Sequence, residues 1–221
     1  MKMVFDASAL ISVSQTCLVN ILPGLKEKMN AEFIIPSEVF REAVERPIEV
    51  RRFELNAVRL KKVVGQGCFS VVSAKDKDLV AEIDGLANHC FFVKGRPVRL
   101  LQLGEIEALC LVKELGAGAL AIDERTARML VENPRQLGKI MEARRGNPVR
   151  IDSESVSRIK RMFSGLAFAR SVELVSLAYE FGLLDQELPK GKQSLEAALF
   201  AVKYSGCAVS SREINSFLRG L

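Results

Sequence analysis

Two short apolar runs that stop at an aspartate constrain this sequence more than any other feature. Met3-Val4-Phe5 ends at Asp6 and passes at once into Ala7-Ser8-Ala9-Leu10-Ile11, an apolar helix start. Ala119-Leu120-Ala121-Ile122 ends at Asp123. Runs that are apolar without alternation suit strands buried on both faces, and strands separated by helices pair in parallel. Phe33-Ile34-Ile35 is a third such run. Pro36 ends it, Ser37 can cap a helix over Glu38 to Glu45, and Pro47 breaks that helix. Val58 to Val64, with basic residues interleaved, is expected as the next strand. Lys77 to Phe92 has helical spacing, with Leu79, Ile83, Leu86 and Cys90 recurring. Leu103 to Leu115 is a clearer helix, closed by Gly116 and Gly118. The pattern is that of an α/β domain on a central parallel sheet.

Past Asp123 the spacing turns helical. Helices are expected over Pro134 to Arg145 and at about 153–163, 168–182, 191–205 and 210–219, with Val149-Arg150-Ile151 as a last short strand. No flexible linker interrupts the chain. Residues 1–150 are therefore expected to form the catalytic domain, and residues 151–221 a helical part packed on the same domain.

The chain has 221 residues, enough to bury a core without staples, and a formal net charge of +5. That excess permits a polyanionic partner without requiring one. The five cysteines are odd in number and form no Cys-x-x-Cys pair, so they are expected as small buried side chains in a reducing compartment. The opening MKMVFDASAL is too short in apolar length for a signal peptide, and no apolar stretch is long enough to span a bilayer. The expected location is cytoplasmic, with no membrane partner.

In open α/β sheets, ligands bind beyond the carboxyl ends of the strands. If the strands ending at Asp6 and Asp123 are parallel neighbours, the two carboxylates share a cleft. Glu38, in the first turn after the second strand, and Glu105 and Glu107, at the start of the helix from Leu103, lie at the same level. Each acid alone has a plainer reading as a helix cap or a complement to a helix dipole. Together they would repel one another unless a divalent cation sat among them, and hard oxygen donors suit Mg²⁺ or Mn²⁺. Such a cation supplies metal-bound hydroxide and neutralises charge on a phosphodiester.

The segments MVFDASALI, FIIPSEVFREAV and LGEIEALCLVKELGAGALAIDERTAR, in that order, resemble PIN domains, particularly archaeal and bacterial ones of the VapC toxin type. SGLAFARSVELVSLAYEFGLL looks like the closing helix of the same group. The resemblance implies a three-layer α/β/α fold, a Mg²⁺ or Mn²⁺ site and hydrolysis of RNA. It puts metal ligation and catalysis on Asp6, Glu38, Glu107 and Asp123, with Glu105 and Glu124 as second candidates. Glu105 and Glu107 point about 200° apart on a helix, so only one should reach the metal. Ser8 would bond a carboxylate or water, or simply cap its helix. A toxin role would bring an antitoxin partner, and a homodimer is compatible with the chain, although the sequence locates neither surface.

Between Arg125 and Arg161 there are ten basic side chains and four acidic ones, a local excess larger than the net charge of the whole chain. Arg125, Arg128, Arg135 and Lys139 are the expected contacts to an RNA backbone, although solvated helices also carry such charges. There is no Trp, and Tyr179 and Tyr204 lie in helices that read as core. No aromatic platform for base stacking is therefore expected. His89, the single histidine, reads as a helix residue. The competing readings are a non-catalytic nucleic-acid-binding module on the same fold and a nuclease that acts on DNA.

Overall fold

A computed structural model describes residues 1–219 of the chain. Its central sheet has five strands in the order β3-β2-β1-β6-β8, every adjacent pair parallel. They are β1 (Lys2–Phe5), β2 (Glu32–Pro36), β3 (Phe69–Val72), β6 (Ala119–Ala121) and β8 (Ala167–Ala169). Strands β4 (Phe91–Val93), β5 (Arg96–Pro97) and β7 (Val149–Ile151) form a separate antiparallel sheet in the order β5-β4-β7.

The continuous apolar runs are explained by two cores, one on each face of the main sheet. Met3, Phe5, Phe33, Ile35 and Ala121 face the first core, and Val4, Ile34 and Leu120 the second. Successive strand residues point to opposite faces, so a strand covered on both sides has no polar position to spare. On the first face lie α1 (Ala7–Gln15), α2 (Ile21–Lys28), α4 (Glu54–Gly65), α10 (Ser171–Glu180), α11 (Lys192–Tyr204) and α12 (Ser211–Arg219). On the second lie α5 (Lys77–Asn88), α6 (Leu103–Leu115), α7 (Arg125–Glu132), α8 (Pro134–Arg145) and α9 (Ser153–Met162). This is the expected three-layer α/β/α fold. Phe5, Phe33 and Phe69 cluster on one face of β1, β2 and β3 in tilted and edge-on contacts, with ring centroids 4.8, 5.1 and 5.8 Å apart. Truncating one of them would cost about 3–5 kcal/mol.

The helix after β2 runs from 37 to 48 and is α3. Its middle, Arg41–Glu45, widens into a π-turn. Such turns re-aim side chains and recur at functional sites.

Several expectations need correction. Val58 to Val64 is not a strand but the second half of α4, where Ala57, Leu60 and Val63 recur every three residues on a buried face. The strand in that part of the chain is Phe69–Val72. Val149–Ile151 is a strand, but it pairs antiparallel with β4 in the smaller sheet. The main sheet instead ends in β8, three residues too few to show a period, within a stretch expected as helix. Four of the cysteines are buried as expected, whereas Cys17 is exposed. Tyr204 is 78% exposed rather than part of the core. No helix among the described residues is long and apolar enough to cross a membrane.

Candidate active site

β1 and β6 lie side by side, and the site is built where they end. Asp6 donates its backbone N–H to the Ala121 carbonyl at 2.8 Å and caps α1 with its side chain. Its Oδ2 accepts the Ser8 backbone N–H at 2.9 Å and the Ser8 hydroxyl. The Ser8 Oγ in turn accepts the N–H groups of Asp123 at 3.0 Å and Glu124 at 3.3 Å. One hydroxyl thus ties the two strand ends together. Asp6 is 4% exposed. Burial pushes its carboxyl above the usual range, the bonds from Ser8 and Ala7 pull it back, and the Glu124 charge pushes it up again.

Glu105 sits at the third position of α6, where it accepts the Gln102 backbone N–H at 2.7 Å in a capping box. Burial is the main cause that pushes its carboxyl up to about 8; the Gln102 bond opposes this, and Asp6, Glu124 and Glu42 add repulsion. Glu42 stands on the π-turn of α3. Its carboxyl is raised by burial first, then by Asp6 and Glu38, with Arg46 and Arg41 pulling the other way. Glu42 reaches this position because Gly104 has no side chain: a Cβ there would lie 2.9 Å from Glu42 Oε2. Glu124 caps α7, accepting the N–H groups of Thr126 and Ala127 and the Thr126 hydroxyl.

Asp6, Glu42, Glu105 and Glu124 therefore share one electrostatic neighbourhood at the carboxyl end of the sheet. No described Lys or Arg forms an ion pair with any of them. The other expected acids are engaged elsewhere. Glu107 accepts the Ser37 hydroxyl at 2.9 Å, the Ala74 N–H at 3.1 Å and the Glu38 N–H at 2.7 Å, which fastens α6 to the ends of β2 and β3. Asp123, with no exposed surface, accepts the Ser171 N–H at 2.7 Å and its hydroxyl at 2.6 Å, joining β6 to α10. Glu38 is paired with Arg41 and, at 3.5 Å, with Arg46.

Glu42 was not a candidate in the sequence. The signal available was a second glutamate one turn beyond Glu38 on the same helix, but the π-turn that re-aims it leaves no trace in the spacing.

The unpaired carboxylates fit a hard divalent cation in donor type and charge. As they stand, no group of three or more His, Cys, Asp or Glu side chains among the described residues is gathered closely enough to hold one. Among the expected substrate contacts, Arg125 lines a cleft beside Glu124. Arg128 approaches Glu132 at 3.9 Å, and its buried Nε has no partner. Arg135 lines a separate groove with Lys160, and Lys139 is exposed.

A family model described as DUF3368, PIN domain, matches residues 2–135. Neither a search of curated proteins nor one of solved structures returned a match.

Proposed function

The chain belongs to the PIN-domain family, whose members are generally nucleases, and on that premise we propose that it is a divalent-metal-dependent endoribonuclease that hydrolyses RNA phosphodiester bonds. The observation that carries the reading is the convergence of Asp6, Glu42, Glu105 and Glu124 without a paired cation. Four carboxylates that feel one another's charge with no cation paired to them oppose folding unless they serve a ligand, and they would draw closer on binding it.

In this reading Asp6, Glu42, Glu105 and Glu124 hold Mg²⁺ or Mn²⁺, while Glu107 and Asp123 brace the elements that carry them. A bound cation would supply an activated water and offset charge on the phosphate. Ser8 fixes the Asp6 carboxylate through two bonds to its Oδ2. Glu105 holds a proton near neutrality until a cation displaces it, so binding should release protons. Residues 1–150 supply the acids, and residues 151–221 contribute the Ser171 brace.

Incubated with Mn²⁺ and either single-stranded or folded RNA, the chain should cut internal phosphodiester bonds, and Asp6→Asn should abolish the cutting. No cleavage, or cleavage indifferent to Asp6→Asn, overturns the proposal. RNA binding that survives loss of all four acids, with no cleavage by the wild type, would instead mark a non-catalytic binding module. Preferred cutting of DNA of the same sequence would move the substrate class.

A further inference from the structure

Beside Glu124 a cleft of about 400 Å³ runs along α8. Arg99, Arg125, Arg144 and Arg145 stand around it. None of the four pairs with a carboxylate among the described residues. Arg99 spends only its Nε, on the Leu101 carbonyl at 3.3 Å, which leaves the rest of the guanidinium free. The floor is different in kind: Leu137 and Met141, both buried, belong to the second core. Asp123 and Glu124 also line it, and Glu124 is one of the acids proposed above to hold metal.

We propose that this cleft holds a single-stranded segment of RNA next to the cleavage site, with phosphates on the arginine rim and a base or sugar on the apolar floor. The inference rests on the nuclease reading for its direction, because it names the path by which the substrate leaves the acids. Four uncompensated guanidiniums would repel one another in an empty cleft, and a polyanion relieves that cost. Arginine suits phosphate because its planar fork donates two bonds at once. The floor argues for a single strand. A duplex keeps its bases stacked inside and presents only backbone, so it has nothing to place on Leu137 and Met141. No aromatic side chain lines the cleft, so binding should tolerate sequence.

The test is fluorescence anisotropy of a labelled single-stranded RNA in EDTA, where no cleavage occurs, across a range of salt. Arg144→Ala/Arg145→Ala should weaken binding about tenfold or more and lower the salt slope by about 1.4, roughly 0.7 for each lost phosphate contact. Lys28→Ala/Lys61→Ala removes the same charge from exposed positions on α2 and α4, across the sheet, and should change binding little. Equal losses in the two double variants, or none in the arginine pair, overturn the cleft. So does duplex RNA that binds as tightly as the single strand. Failure of the enzymatic reading looks different: the wild type would bind RNA through the cleft in EDTA and still cut nothing in Mn²⁺. Conversely, cleavage with unchanged KM in the arginine variant would overturn the cleft and leave the enzyme standing.

Discussion

Glu105 and Glu107 stand two residues apart on α6 and meet opposite surroundings. Glu105 accepts one backbone N–H and is otherwise crowded by Asp6, Glu124 and Glu42. Glu107 faces the sheet end and accepts three donors drawn from Ser37, Glu38 and Ala74. The same division separates Glu124 from Asp123, adjacent in sequence. Both border the arginine cleft, but Glu124 caps its own helix α7, whereas the Asp123 side chain, with no exposed surface, is spent on Ser171. A carboxylate bonded by donors from distant elements, as Glu107 and Asp123 are, holds the fold; one bonded only within its own helix cap and surrounded by its own kind, as Asp6, Glu105 and Glu124 are, is left for a cation. Residue type and level in the sheet do not distinguish the two, because the origin of the donors decides.

The largest expected effects split along that line. Glu105→Gln should reduce cleavage by more than about 100-fold, the upper figure for merely supporting groups at a metal site, while the protein stays folded. Glu107→Ala should instead leave three donors without a partner, at about 1–3 kcal/mol for each that remains buried. Its signature is a lowered midpoint in a urea melt. If Glu105→Gln cleaves normally, or Glu107→Ala melts like the wild type, the division is drawn in the wrong place.

The next effect is pH dependence in the absence of metal. Folded, Glu105 keeps its proton up to about pH 8, whereas an ordinary glutamate releases it near 4.5. Between those values the folded chain binds more protons than the unfolded one, so stability must fall as pH rises through the window. Asp6 and Glu42, also raised, act in the same direction. Glu105→Gln should remove much of the slope, on the order of 2 kcal/mol after discounting for solvent that reaches the cleft. Urea melts of both proteins at pH 5 and pH 8 check this, and parallel profiles would contradict it.

Gly104→Ala is the subtlest probe. Alanine at this helical position improves intrinsic helix stability by up to about 1 kcal/mol, yet its Cβ would meet Glu42 Oε2 at 2.9 Å. Cleavage should fall about tenfold, within the usual range for disturbed support of a metal ligand, without loss of thermal stability. Unchanged activity at subsaturating Mn²⁺ would mean that Glu42 does not act from where it stands.

Much of this was legible in the sequence for a simple reason. The strands β1, β2 and β6 are buried on both faces, and that burial writes itself as unbroken apolar runs. The ends of those runs put Asp6 at the right level without any knowledge of pairing. The α4 misreading has the opposite cause: its β-branched residues and interleaved lysines resemble an edge strand locally, and only packing of Leu60 and Val63 on the first core selects the helix. β8 is too short to carry a period. In the site, the partners of Glu107 lie about seventy residues before it and about thirty before it, and the partner of Asp123 lies forty-eight beyond. Only the fold brings those donors to the acids. Glu42 stayed hidden because a π-turn shifts the face of α3, and periodicity assumes that a helix has one pitch.

The central claim is that the acids facing one another, rather than those bonded to distant elements or paired with arginines, do the work. Glu38 and Glu42 test it most directly, being one turn apart on α3, one paired with Arg41 and Arg46 and the other set against Gly104. RNA cleavage in Mn²⁺ by Glu42→Gln and Glu38→Gln, measured side by side, should show activity lost in the first and largely kept in the second. Activity kept in Glu42→Gln and lost in Glu38→Gln would contradict the account.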